Sequence, residues 1–398
     1  MNWRLPPTAA FLLLASLTVS FLAGSSAPTP LYGVYMGEWG LTPLMITVIF
    51  GIYALAVLVA LLVAGRLSDH LGRRPVLLVA TLAQAVTMIV FMTATSVTGL
   101  LVARVLQGLT TGAALGAIGA GMIDLDKTRG TVANAVAPPF GTATGAIVAG
   151  VLVQFLPFPT HLVYVVFGLV FILQSLGLVF MTDSIAPRGG VLASLKPKLA
   201  LPRATRELLL LATPVLIAVW ALAGFYGALS PLLVKGMLGV NTPLIGGLAL
   251  FVVATFGGLS VLVLQHREAK DMMMLGAASL IVGVAVTAVA VSEASIAFFF
   301  VGSMIAGVGF GAGFQGAVRT VVPFAAPHER AGVLSIIFII SYIAMGVPAV
   351  AAGWMIARHG NVVATAQLFA AVIMALAGSA LLAGLVRAAT QRVSRVAG

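Results

Sequence analysis

Gly65-Arg66-Leu67-Ser68-Asp69-His70-Leu71-Gly72-Arg73-Arg74-Pro75 is the stretch from which the fold can be read. The runs on either side, 42–65 and 75–94, carry no charge at all. Each is the length of one bilayer crossing, which takes about 20 apolar residues. A charged loop this short turns the chain straight back, so the flanking runs are antiparallel spanning helices. Gly65 and Gly72 let the backbone turn tightly between them. Asp69 is an acid in a basic loop and calls for a defined partner.

The same pattern extends outward in both directions. Apolar runs broken by charges, Pro and Gly give twelve spans, near 8–34, 42–65, 75–94, 97–122, 130–154, 160–182, 206–233, 242–265, 272–291, 295–319, 331–357 and 362–387. Over the whole chain 61% of residues are hydrophobic and 8% charged, against about 25% charged in a soluble chain. So few charges cannot cover a water-facing surface on 398 residues. That excludes a soluble enzyme, a disordered chain and a nucleic-acid binder, despite a net charge of +11. The fold class is an all-α integral membrane protein. No cysteine is present, so there is no disulfide framework, thiol nucleophile or Cys-ligated metal. Span 1 is longer than a bilayer requires and contains Pro28 and Pro30, which predicts a kinked or extended far end. Its start, Arg4 ahead of an apolar run from Phe11, has the look of a signal peptide. The next apolar segment follows so closely that it reads as a retained span.

Basic residues assign the sides. With the N-terminus in the cytoplasm, 18 of the 21 Lys and Arg fall on the inner side, only Lys235 and Arg358 fall outside, and Arg104 lies within span 4. Positive charge concentrates on the cytoplasmic face of membrane proteins. Both termini are thus expected inside, in a multi-pass protein of a bacterial cytoplasmic (inner) membrane. The longest loop, 183–205, holds three prolines, two glycines and several basic residues. It divides the chain into a first bundle, 1–182, and a second, 206–398. An internal repeat supports the division. Thr29-Pro30-Leu31 corresponds to Ser230-Pro231-Leu232, Thr42-Pro43-Leu44 to Thr242-Pro243-Leu244, and Gly108 and Gly112 to Gly307 and Gly311. All these offsets lie between 199 and 201. Six spans per half give both halves one orientation, a parallel repeat about an axis along the membrane normal. Each Thr-Pro pair is a helix start, an N-cap followed by proline at the first turn.

The opening loop resembles the signature G-x-L-[SA]-D-x-x-G-R-[RK] of the major facilitator superfamily at every defining position. Twelve spans, a six-plus-six division and a basic central loop extend the resemblance over the whole chain. It implies two pseudo-symmetric six-helix bundles that rock about a central site. Read from the residues, a cluster of Asp69, Arg73, Asp124 and Arg129 latches the inner ends of the first bundle, with Gly65, Gly72 and Arg74 shaping the loop. The resemblance adds a contact from Asp69 to the start of span 11. The second half keeps Glu268 at the register of Asp69 but no glycine turn, so a weaker latch is expected there.

Span 4 carries Arg104, Gln107 and Gly108, which resembles the family's R-x-x-Q-G motif and implies a role for the arginine in coupling or cavity electrostatics. No acid within the spans is an obvious mate, leaving Gln107, backbone carbonyls, water or an anionic substrate group. The other reading is an arginine snorkelling to the outer surface. Span 5 reads Pro138-Pro139-Phe140-Gly141-Thr142-Ala143-Thr144-Gly145. It has the composition of the G-P-x-x-G-G motif of drug/proton antiporters without its order. Transporters bind substrate near the midplane at the repeat interface. Counting inward places Tyr53, Thr111, Thr142, Trp220, Tyr226 and Tyr342 at that depth, with Gln315 nearer the cytoplasm.

The expected function is secondary active transport by alternating access, as proton-coupled efflux of small amphipathic or drug-like molecules. The alternative is uptake or facilitated diffusion of a small metabolite, such as an organic anion. No intramembrane catalytic group or phosphate loop is present, so no enzyme and no ATP-driven pump is expected. No cofactor or metal is expected, the proton serving as coupling ion. The expected partners are a small-molecule substrate and the lipid bilayer, without nucleic acid, and the expected state is a monomer.

Overall fold

The computed structural model describes residues 4–239 and 242–396, with side chains given for all of these except 238 and 388–396. Arg392 and Arg395, assigned above to the inner side, lie outside the described side chains. Among the described residues there is no strand. Twelve helices are long and apolar enough to cross a membrane: Pro7–Trp39, Pro43–Ala64, Arg73–Met92, Val97–Leu125, Lys127–Phe155, Pro159–Val179, Arg203–Met237, Pro243–Val263, Ala269–Ser292, Ile296–Phe324, Arg330–His359 and Val362–Arg387. They are spans 1–12. Each matches a run read from the sequence, with ends that differ by a few residues.

Local chemistry sets several boundaries. Span 1 is interrupted at Ala27, directly before Pro28 and Pro30, which is the kink the prolines predict. At span 2 the Thr42 hydroxyl accepts the Met45 N–H at 3.3 Å, with Pro43 in the first turn. Span 8 starts on the same Thr-Pro pair, yet the Thr242 side chain makes no cap, so proline alone marks that start. Asp126 caps span 5 by accepting the Arg129 N–H at 2.9 Å. Spans 1, 7 and 11 stop at Gly40, Gly239 and Gly360, all left-handed, a conformation glycine adopts at no steric cost.

The repeat is visible in packing. A Cβ added at Gly108 would lie 2.7 Å from the Tyr53 carbonyl oxygen, and one at Gly307 would lie 2.6 Å from that of Val253. Gly112 sits against the Val57 carbonyl, and Gly311 against that of Gly257. Span 4 therefore meets span 2 as span 10 meets span 8, at corresponding residues about 200 positions apart. Small residues permit this close approach, which drives helix association where lipid supplies no hydrophobic push.

The end bearing the signature loop is called here the basic side, and the opposite end the far side. The two halves seal together on the far side. The Thr29 hydroxyl donates to the Gly227 carbonyl at 2.9 Å. Gly247 packs on Pro30 and the Ala146 carbonyl, Gly150 on Leu244, and Gly353 on Thr47 and the Pro43 carbonyl.

Candidate functional site

Arg73 is the hub of the basic side. It is buried at the start of span 3, next to Gly72 at φ +97°. Its guanidinium donates to the Ser68 hydroxyl at 2.7 Å, to Asp124 at 3.1 Å and to Asp69. Asp183, at the end of span 6, accepts the backbone N–H groups of Arg73 and Arg74 at 2.8 and 3.3 Å. A carboxylate there satisfies orphan donors and meets the positive end of the helix dipole. Arg74 completes the join by donating to the Leu178 carbonyl at 3.1 Å, the C-terminal edge of span 6. The glycine at 72 is required twice over. Its φ is left-handed, and a Cβ would run into the Asp183 carboxylate. At the other glycine, Gly65, a Cβ would strike the carbonyl of Leu61 one turn back.

The cluster differs from the expected one in three respects. Arg129 is not a member: it pairs with Asp126 at 3.6 Å. Asp126 lies one turn away and already caps the same helix, so it captures Arg129 locally. Asp183 is a member that the sequence reading assigned to the linker. Asp69 bonds Arg73 alone among the described side chains and makes no ion pair or hydrogen bond to span 11. In the second half no ion pair forms at the matching loop among the described residues. Arg319 instead donates to the carbonyls of Gln265 and Arg267, at 3.1 and 3.0 Å. Asp69→Asn removes the charge of a half-exposed carboxylate, so the protein should remain in the membrane while its transport rate falls several-fold. An unchanged rate in reconstituted vesicles would deny this cluster any part in gating.

Arg104 is fully buried, so it does not snorkel. Its guanidinium donates to the Ser25 carbonyl at 2.8 Å, Gln107 Oε1 at 2.7 Å and the Tyr32 hydroxyl at 2.6 Å. The rings of Tyr53, Tyr32 and Phe91 surround it, with Cζ 5.3, 5.8 and 5.9 Å from their centroids. Gln107 in turn donates to the Gly24 carbonyl at 2.9 Å. No carboxylate pairs with this cation among the described residues. It stands behind the cavity wall and is not part of it.

The cavity lies between the halves and has a volume of about 200 Å³. Tyr53, Thr142, Trp220, Gln315 and Tyr342 line it. Thr111 and Tyr226 do not. Thr111 is buried within the first half. Tyr226 bonds Ser303 at 2.7 Å and turns toward the crevice among spans 9, 10 and 12. Depth along a span was legible, but the direction around its axis was not. The wall also includes Phe50, Asn134, Pro138, Pro139, Phe310 and Phe314, which the sequence reading did not assign. The adjacent prolines were the available signal for two of them. They line the cavity one turn from Asn134 and Ala135, whose carbonyls the missing proline N–H groups leave free. Trp220 is the centre of an aromatic group, with ring centroids 5.3 Å from Tyr342, 5.4 Å from Phe314 and 6.1 Å from Phe310. No charged side chain is part of the wall among the described residues.

The family model described as Major Facilitator Superfamily matches residues 13–345. No curated protein matches the chain. Among solved structures, a bacterial homologue of the human lysosomal transporter Spinster, in an inward-facing and unoccupied conformation, superposes with a TM-score of 0.72. Its identity is 12%, over 95% of this chain and 97% of that one. The nucleoside transporter NupG superposes with a TM-score of 0.64 and 12% identity, over 96% of this chain and 98% of that one. At such identities the likeness is one of fold.

Proposed function

The chain belongs to the major facilitator superfamily, and from that premise we propose that it carries a small amphipathic organic molecule across the membrane by alternating access. It is a multi-pass membrane transporter and not an enzyme. The single observation that carries the substrate class is the wall of the central cavity. Aromatic and aliphatic side chains dominate it, and Asn134, Thr142 and Gln315 add a few polar groups. Sites of this composition hold organic molecules by dispersion and a small number of hydrogen bonds. The moving bodies are 1–182 and 206–398, with 183–205 as linker, working as a monomer. The basic side is the cytoplasm of a bacterial inner membrane, as the distribution of Lys and Arg supports.

Export in exchange for protons is the direction and coupling we assign. A second cavity at the basic ends of spans 5, 8 and 10 shares Ala135, Val261 and Gln315 with the central one, while the far side is sealed. That supports loading from the cytoplasm. The acids available for coupling are Asp69, Asp124 and Asp183 around Arg73, since none lines the cavity. This same absence favours a second reading, uncoupled facilitated diffusion or uptake of a small metabolite. Imposing a pH gradient on proteoliposomes separates them. Substrate accumulation that follows the gradient and collapses with a protonophore is expected. Rates indifferent to the gradient would establish the facilitator.

A further inference from the structure

Every fixed charge along the route from the basic side to the central cavity has one sign. The second cavity has the charges of Lys127 and Arg319 in its wall, with Thr131, Gln265, His266 and Gln315 between them. Glu268 and Asp271 belong to the adjoining loop and the first turn of span 9, but neither is part of that wall. Ala135, Val261 and Gln315 border both cavities, so the two adjoin there. In the central cavity the Trp220 ring belongs to the wall of the second half. Opposite it, on the first half, Arg104 stands directly behind the wall. Its guanidinium holds the Ser25 carbonyl and faces the Tyr53 ring, and both Ser25 and Tyr53 line the cavity. Tyr32, Gln107 and Ser25 solvate this cation with dipoles but leave its net charge intact.

A buried charge in an apolar surround is poorly screened. A molecule in the cavity therefore meets a positive field from the wall of the first half. Basic mouths of this kind also raise the encounter rate of anions and depress that of cations. On the transport reading given above, we propose that the substrate is an amphipathic organic anion. Its flat aromatic body would sit among Trp220, Phe310, Phe314 and Tyr342, and its anionic end would lie toward Ser25 and Tyr53 in the field of Arg104. Organic cations are excluded, although an aromatic group alone would attract them.

Three probes with one ring system test this: naphthoate, naphthamide and (naphthylmethyl)trimethylammonium. Their binding to the purified full-length protein is read by quenching of tryptophan fluorescence, and their transport in proteoliposomes of zwitterionic lipid. Naphthoate should bind about tenfold more tightly than naphthamide, equivalent to about 1.4 kcal/mol, and the ammonium probe should not bind measurably. Lys127→Gln should lower the initial rate of naphthoate transport at low salt and weaken its salt dependence. Equal or tighter binding of the ammonium probe overturns the charge assignment while leaving the transport reading intact. Binding of none of the three also overturns it, and transport of some other amphipathic solute would still uphold the broader reading. Naphthoate transport that appears only when anionic lipid is added assigns the basic mouth to lipid headgroups and likewise overturns the proposal.

Discussion

Arg104→Ala is expected to abolish transport and to lower stability by about 3–5 kcal/mol. The guanidinium satisfies three acceptors that water does not reach: the Ser25 carbonyl, Gln107 Oε1 and the Tyr32 hydroxyl. Each buried acceptor left unpaired costs about 1–3 kcal/mol. Tyr32 can turn its hydroxyl to donate, so the loss falls short of a simple sum. The volume vacated among Tyr32, Tyr53 and Phe91 adds a cavity term. Span 1 is held to span 4 through these bonds at the level of the central cavity, so the wall formed by Ser25 and Tyr53 loses its position. Arg104→Lys keeps the charge but cannot reproduce the planar fork. It should retain part of the stability and only weak transport. Thermal unfolding of the purified variants, with transport measured on equal amounts of reconstituted protein, checks both effects. An alanine variant with unchanged stability and transport would show that the buried network carries neither.

What the sequence revealed and what it concealed divide along one physical line. Crossing number follows from where charges interrupt apolar runs, because the bilayer enforces a length and an apolar composition on each crossing. Twelve spans and the repeat were legible for that reason. Rotation about a helix axis was not, because spans surrounded by lipid and protein are apolar on all faces. Tyr226 illustrates the point. It lies at the proper depth, but it is the counterpart of Ser25 in the repeat, about 201 positions away, and Ser303 is the counterpart of Arg104. The pair Tyr226–Ser303 thus occupies in the second half the place of the Ser25–Arg104 contact in the first. Asp183 was concealed for another reason. Its partners Arg73 and Arg74 are about 110 residues away in sequence, and only the fold brings the ends of spans 3 and 6 together. Arg129 shows the converse, since a nearer carboxylate, Asp126, outcompetes a distant one.

Gly108→Val and Gly307→Val should each destabilise by more than about 4 kcal/mol and remove folded protein from the membrane. A Cβ at either position would meet a backbone carbonyl, 2.7 Å away at Gly108 and 2.6 Å away at Gly307. Backbone cannot move aside as a flexible side chain can, so the helices must separate along their length. Gly378 in span 12 has no atom within 4 Å of an added Cβ. Gly378→Ala should therefore be neutral or stabilise by up to about 1 kcal/mol, and it controls for the general effect of losing a glycine. The amounts of monodisperse protein recovered, and its thermal unfolding, decide the matter. The two valine variants test more than packing. If the halves rock as rigid bodies, the interfaces that stay fixed are span 2 on span 4 and span 8 on span 10. The sliding interfaces lie between the halves, where Thr29 meets Gly227 and Thr47 meets Gly353. Close glycine contacts inside each half make the moving bodies stiff, and equal losses at Gly108 and Gly307 are the signature of two equivalent bodies. A severe loss at one and tolerance at the other would mean that only one half keeps its shape through the cycle.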